Sequence, residues 1–193
     1  MQRVCIFCGS SFGARESYRR AAVQLGELLA AHKIGVVYGG GNVGLMGVLA
    51  DAALAGGGEV IGVIPGALVA REIAHDGLSD LRVVRSMHER KALMADLSDA
   101  FIALPGGYGT LEEFCEMVTW SQLGIHTKPC GLLNVGGYFD PLIAMLDRAT
   151  QEGFIPAKNR ALVLEETEPE RMLEALQRWE AVPAEKWILG EER

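Results

Sequence analysis

The stretch FIALPGGYGTLEEF, residues 101–114, runs four apolar residues into a proline, three glycines in four positions, a threonine and two adjacent acids. A short apolar run closed by Pro-Gly reads as a buried strand, and the acid-rich residues after the glycines read as a helix start. Strand, glycine turn and helix in that order form one step of an α/β fold. The step recurs at VCIFCGSSFG, 4–13, and at VVYGGGNVGLMG, 36–47. Outward from these three steps, the pattern predicts strands at 3–8, 35–38, 59–64, 81–84, 101–104 and 129–134. Helices are predicted at 16–31, 45–55, 87–97, 111–123, 141–152 and 169–179. Strands alternating with helices along the whole chain predict a doubly wound parallel sheet with helices on both faces. With 193 residues, 49% of them hydrophobic, the chain can bury one sizeable core, and a single domain spanning 1–193 is expected.

Composition removes several functions. No run of 18 apolar residues offers a membrane span and no basic segment leads into an apolar signal core, so a cytoplasmic protein without a membrane partner is expected. A net charge of −7 argues against nucleic acid, which needs a cationic face. Cys5 and Cys8 lie on a strand, on opposite faces and about 10 Å apart, too far for a disulfide. Cys115 and Cys130 read as small core residues, and no spacing of ligands suggests a metal.

In a parallel sheet, ligands sit beyond the carboxyl ends of the strands, where the three glycine loops fall. Glycine removes the Cβ that would hold a ligand off and exposes N–H groups at a helix start, where anions are favoured. Gly9 and Ser10 in the first loop, Gly40 and Gly41 in the second and Gly106, Gly107 and Gly109 in the third are therefore candidates for a phosphate. Residues 39–44 match G-x-G-x-x-G, but Glu59 falls at the start of the next strand rather than its end, which speaks against a dinucleotide. No P-loop is present either. A mononucleotide suits the loops better. The one long irregular stretch, 65–80, makes Arg71 and Glu72 candidates for a pocket wall.

Ser86-Met87-His88-Glu89 and Thr110-Leu111-Glu112-Glu113 both read as capping boxes. Arg90 and Lys91 follow the first box, close to the positive end of the helix dipole, at a penalty of about 0.3–1 kcal/mol that something negative should offset. At the second, the dipole favours ionised Glu112 and Glu113. Such a site suits a ligand with an anionic end and a centre that becomes cationic. Cleavage of an N-glycosidic bond in a nucleoside monophosphate has that profile: the phosphate is anionic, and the ribose passes through an oxocarbenium-like state that a carboxylate stabilises. Met94, Met117 and Trp120 are candidates for an apolar base pocket, although such residues on amphipathic helices are more often core.

PGGYGTLEE, SMHERK and YGGGNVGLMG together resemble the LOG family, the cytokinin-activating phosphoribohydrolases, some of which carry an older lysine-decarboxylase label. The resemblance spans roughly residues 4–140. It implies a Rossmann-like fold, a homodimer without cofactor, and hydrolysis of adenosine 5′-monophosphate or its N6-modified derivatives to free base and ribose 5-phosphate. It also implies that Arg90 and Glu113 form the catalytic pair and that Glu72, Lys91, Thr119 and the run Gly106, Gly107, Tyr108, Gly109, Thr110, Leu111 and Glu112 line the substrate site. Asn42 stands where serine is expected in the family. A decarboxylase would need a Schiff-base lysine, and only Lys91 lies near the expected pocket, among neighbours that fit phosphate better. The remaining alternative is a carrier of a nucleotide or pterin cofactor, to which the carboxylate of Glu113 would contribute little. For the dimer, the stripe Leu111, Phe114, Cys115 and Val118, widened by Met117 and Trp120, offers more apolar surface than one sheet face covers.

Overall fold

The computed structural model describes residues 1–69 and 74–181. Seven strands, β1 (Arg3–Phe7), β2 (Gly35–Tyr38), β3 (Val60–Pro65), β4 (Asp80–Val84), β5 (Ala100–Ala103), β6 (Cys130–Leu133) and β7 (Val163–Glu166), form one sheet in the order β4-β3-β2-β1-β5-β6-β7. Every pairing is parallel. The chain winds outward from β1 to β4, returns to β5 on the other side of β1, and winds outward again. The crevice for a ligand therefore opens between β1 and β5.

The helices are α1 (Glu16–Ala31), α2 (Gly44–Ala55), α3 (Met87–Leu97), α4 (Tyr108–Gln122), α5 (Asp140–Gln151), α6 (Ala157–Arg160) and α7 (Pro169–Gln177). Alternation along β1 sorts the core into two layers. Val4, Ile6 and Cys8 point to the face covered by α1, α2 and α7 through Leu25, Leu49 and Met172. Cys5 and Phe7 point to the face covered by α3 and α4 through Met94, Phe114 and Met117, with Leu142, Ile143 and Leu146 of α5 beside them. β2, β5 and β6 are buried along their whole length and β1 from Val4 onward, as crossover helices on both faces demand. The edge strand β4 exposes Leu81, Arg82 and Val83, and Arg82 donates to Asp80 at 2.9 Å on that open edge.

Three expectations change. β7 and the one-turn α6 are additional elements; β7 is buried only at Val163 and ends in two glutamates, so it lacks the continuous apolar run that marks the inner strands. Cys115 is exposed rather than core, while Cys130 is buried as expected. The third change bears on the site. The helix expected from 111 begins at Tyr108, with Gly107 at the N-cap and no side-chain cap. Thr110 is thus the third helical residue, and no capping box forms there. Its side chain, 3% exposed, lies so close over Gly106 that a Cβ on that glycine would overlap the hydroxyl and stand 2.7 Å from the threonine Cβ. The hydroxyl is engaged in packing behind the loop instead of capping in front of it. At α3 the box forms: Ser86 accepts from the Glu89 N–H at 3.1 Å, and the Glu89 carboxylate accepts from the Arg85 N–H at 2.9 Å, one residue before the usual partner.

Candidate active site

The loops after β1 and β5 meet over the crevice. The Gly9 N–H donates to the Pro105 carbonyl at 3.1 Å, and the Gly9 carbonyl accepts from the Leu45 N–H at 3.0 Å, which pins the start of α2 to the same loop. Between them lies a cleft of about 250 Å³ whose walls include Gly9, Ser10, Tyr18, Leu45, Gly106 and Tyr138. At its edge α4 begins. The first N–H groups of a helix have no intrahelical acceptor, and Gly107 brings no side chain to satisfy them. A Cβ at Gly107 or Gly109 would meet nothing within 4 Å, and the side chain of Tyr108 is 94% exposed. An open, uncapped helix start is a seat for an anion.

On the α3 and α4 side of the sheet stand the charged residues. Arg90 is 5% exposed. Its Nε donates to the Val63 carbonyl at 3.0 Å and its Nη2 to the Gly39 carbonyl at 2.9 Å, so the guanidinium is fixed across the ends of β3 and β2. Lys91 is buried too, and it is paired with Glu112 and with Glu116, the latter at 3.0 Å, on α4. Burial works against its charged form, but the hydrogen bonds it donates to the two carboxylates, together with their charges, outweigh that, and the ammonium titrates above its ordinary value. The unfavourable placement of two cations at the start of α3 is therefore offset inside the protein, by carbonyls for Arg90 and by carboxylates for Lys91. Glu113 is half-buried. Burial pushes the Cys5 thiol up, Glu113 pushes it further and Arg90 pulls it back, so both charges act on one buried point of β1. Glu113 also adds to the effect of burial on Cys8.

The other expected residues separate. Gly40 and Gly41 are buried and clamped by the returning segment: the Gly40 carbonyl accepts from the His75 N–H at 3.1 Å, and Gly41 bridges Ala74. His75 is held in turn, its Nδ1 accepting from Gly77 N–H at 3.1 Å and its Nε2 lying 3.0 Å from Asp51. Thr119 is exposed, bonded to the Cys115 carbonyl at 2.7 Å, and about 13 Å along α4 from Thr110 at 1.5 Å per residue. Leu111 packs at the margin of the core. Arg71 and Glu72 lie outside the described residues. Met94 and Met117 are each 1% exposed and belong to the core, with Trp120 packed against it. The apolar walls that face open space are Phe12, Tyr18, Leu45 and Tyr138, from elements whose convergence no local pattern announces.

A family model described as "Possible lysine decarboxylase" matches residues 46–176. A probable cytokinin riboside 5′-monophosphate phosphoribohydrolase of Oryza sativa subsp. japonica is 60% identical over 161 residues, 83% of this chain and 71% of the relative. A cytokinin riboside 5′-monophosphate phosphoribohydrolase of Arabidopsis thaliana is 50% identical over 179 residues, 93% of this chain and 82% of the relative. Among solved structures, the molybdenum cofactor carrier protein of Chlamydomonas reinhardtii superposes with a TM-score of 0.69 at 20% identity, over 92% of this chain and 96% of the other. That likeness is one of fold.

Proposed function

The chain belongs to the LOG family of cytokinin riboside 5′-monophosphate phosphoribohydrolases, and from that premise we infer how its own residues carry the reaction. The enzyme hydrolyses the N-glycosidic bond of adenosine 5′-monophosphate or an N6-modified derivative, leaving free base and ribose 5-phosphate. The substrate's phosphate rests on the N–H groups of Gly107, Tyr108, Gly109 and Thr110, with Gly9 and Ser10 across the cleft. The uncapped start of α4, on the helix whose Glu113 acts together with Arg90 on buried Cys5, is the observation that carries this reading. As the C1′–N bond lengthens, its electrons pass to the base and positive charge grows on the ribose. The Glu113 carboxylate opposes that charge and draws a proton from the water that bonds to C1′, and Arg90 stabilises the base as it leaves with the bonding electrons. The base takes up a proton from solvent while Glu113 releases its own, so that the free base and ribose 5-phosphate result. Lys91 acts through Glu112 and Glu116 by tying α3 to α4. Gly40 and Gly41 belong to the wall made by the second loop. A lysine-decarboxylase activity fits poorly, since Lys91 is engaged by two carboxylates.

The phosphate should be required. kcat/KM for adenosine is expected to fall about 10²-fold below that for AMP, the loss of two or more charge-assisted hydrogen bonds. Equal values in a coupled assay of free adenine would remove the phosphate from α4.

The enzyme further acts as one domain on a free nucleotide in the cytoplasm, apart from nucleic acid, and pairs with a second copy. The α4 stripe expected to carry the dimer is largely spent on the core, with Phe114 and Met117 each 1% exposed and Leu111, Val118 and Trp120 packed against it. The uncovered apolar surface lies instead at α5, none of whose twelve residues is fully buried, where Met145 and nearby Phe154 are 63% and 83% exposed beside half-buried Leu142, Ile143 and Leu146. That much uncovered apolar surface calls for a partner. Light scattering at micromolar concentration should give twice the 20.8 kDa of one chain. A mass near 20.8 kDa would refute the dimer.

A further inference from the structure

The connection between β6 and α5, Asn134-Val135-Gly136-Gly137-Tyr138-Phe139, is more closely specified than a six-residue turn requires. The Asn134 side chain accepts from the Phe139 N–H and donates to Asp140, both at 2.7 Å, while its backbone N–H donates to Glu166. Gly136 and Gly137 take φ of +61° and +73°, a conformation other residues rarely adopt, and Arg15 donates to the Gly136 carbonyl at 3.1 Å. What this arrangement presents is Tyr138. Its ring stands edge-on to Tyr18 and to Phe139, with centroids 5.7 and 5.0 Å away, and its hydroxyl donates to the carbonyl of Gly106.

That carbonyl shares a peptide plane with the Gly107 N–H, and in a trans peptide the two point in opposite directions. No cis peptide bond occurs among the described residues. Holding the Gly106 oxygen therefore aims the Gly107 N–H the other way. The plane lies between two glycines, where rotation meets least resistance, and the neighbouring carbonyl, Pro105, is already taken by Gly9. We infer that Tyr138 is a positioning residue for the reaction: its hydroxyl locks the Gly106–Gly107 peptide so that the Gly107 N–H faces the substrate's phosphate and the Gly106 oxygen is kept from it. The inference rests on the phosphate site at α4 read above. It makes the β6–α5 connection part of the active site, although Tyr138 itself is assigned no contact with the reacting atoms.

The test is Tyr138→Phe in the full chain, which keeps the ring contacts and removes only the hydroxyl. KM for AMP should rise about tenfold with kcat within about a factor of two, because a bond made alike in ground and transition states is lost. Inhibition by ribose 5-phosphate should weaken by the same factor, while kcat/KM for adenosine, which brings no phosphate, should stay within about twofold. A general structural defect would lower both substrates alike, and the thermal midpoint would register it. If the wild-type enzyme prefers AMP and Tyr138→Phe retains that preference and its affinity for ribose 5-phosphate, Tyr138 has no positioning role. If the wild type treats AMP and adenosine equally, the phosphate site falls and takes this inference with it.

Discussion

Glu113→Gln is expected to lower kcat by about 10²–10³, or roughly 2.7–4 kcal/mol of transition-state stabilisation, with thermal midpoint and AMP affinity near wild type. The substitution keeps size and removes charge. Because α4 starts at Tyr108, Glu113 is the sixth helical residue, past the positions from which a side chain caps a helix, so no capping contribution is lost. Gln also has a helix propensity close to that of Glu. The phosphate N–H groups lie one turn earlier and are untouched. Glu112→Gln provides the contrast. It removes one of the two carboxylates on buried Lys91 and leaves Glu116 at 3.0 Å, so it should lower stability by about 1 kcal/mol or less and leave kcat within a few-fold. Melting curves and turnover for the pair separate the two roles. Near-normal turnover in Glu113→Gln would return that carboxylate to a structural part.

The contrast between these neighbours also shows where sequence reading reaches its limit. The inner strands were legible because burial on both faces makes them continuous apolar runs, and the glycine loops because a bare backbone at strand ends has few other uses. β7 escaped because an outer strand that is half-exposed need not be apolar throughout. A local rule misplaces the start of α4. Thr-x-x-Glu at 110–113 fits a capping box, but Gly106 and Gly107 let the helix begin earlier and the threonine hydroxyl pack behind the loop. Arg90 and Lys91 were visible as a misplaced charge pair, yet what offsets them comes from Val63, Gly39, Glu112 and Glu116, which only the closed fold brings near. Tyr18 and Tyr138 meet edge-on from segments 120 positions apart, a contact without any signature in either segment.

Gly39→Ala should disable the enzyme as thoroughly as the loss of Glu113, though residue 39 offers no functional side chain. Its backbone tolerates alanine, since its φ is not among the positive ones. The obstacle is Arg90. A Cβ on Gly39 would overlap Nη2 and stand 3.3 Å from Cζ and from the Met46 sulfur. The guanidinium has no small shift available: its Nε is bonded to Val63 O at 3.0 Å and the same Nη2 to Gly39 O at 2.9 Å. A methyl group there therefore expels the cation from its seat and strips two carbonyls of a charged donor. A drop in kcat of about 10²–10³ is expected, as for removal of a preorganised electrostatic group. A stability loss of about 1.5–3 kcal/mol should accompany it, from hydrogen bonds made by a charge. AMP binding by calorimetry should persist, because the start of α4 is unchanged. Gly66→Ala is the control: its nearest neighbour would be Val83 Cγ1 at 3.7 Å, an ordinary contact, and kcat should not move. Wild-type turnover in Gly39→Ala would mean that Arg90 works from somewhere other than this seat, or does not take part in the chemistry.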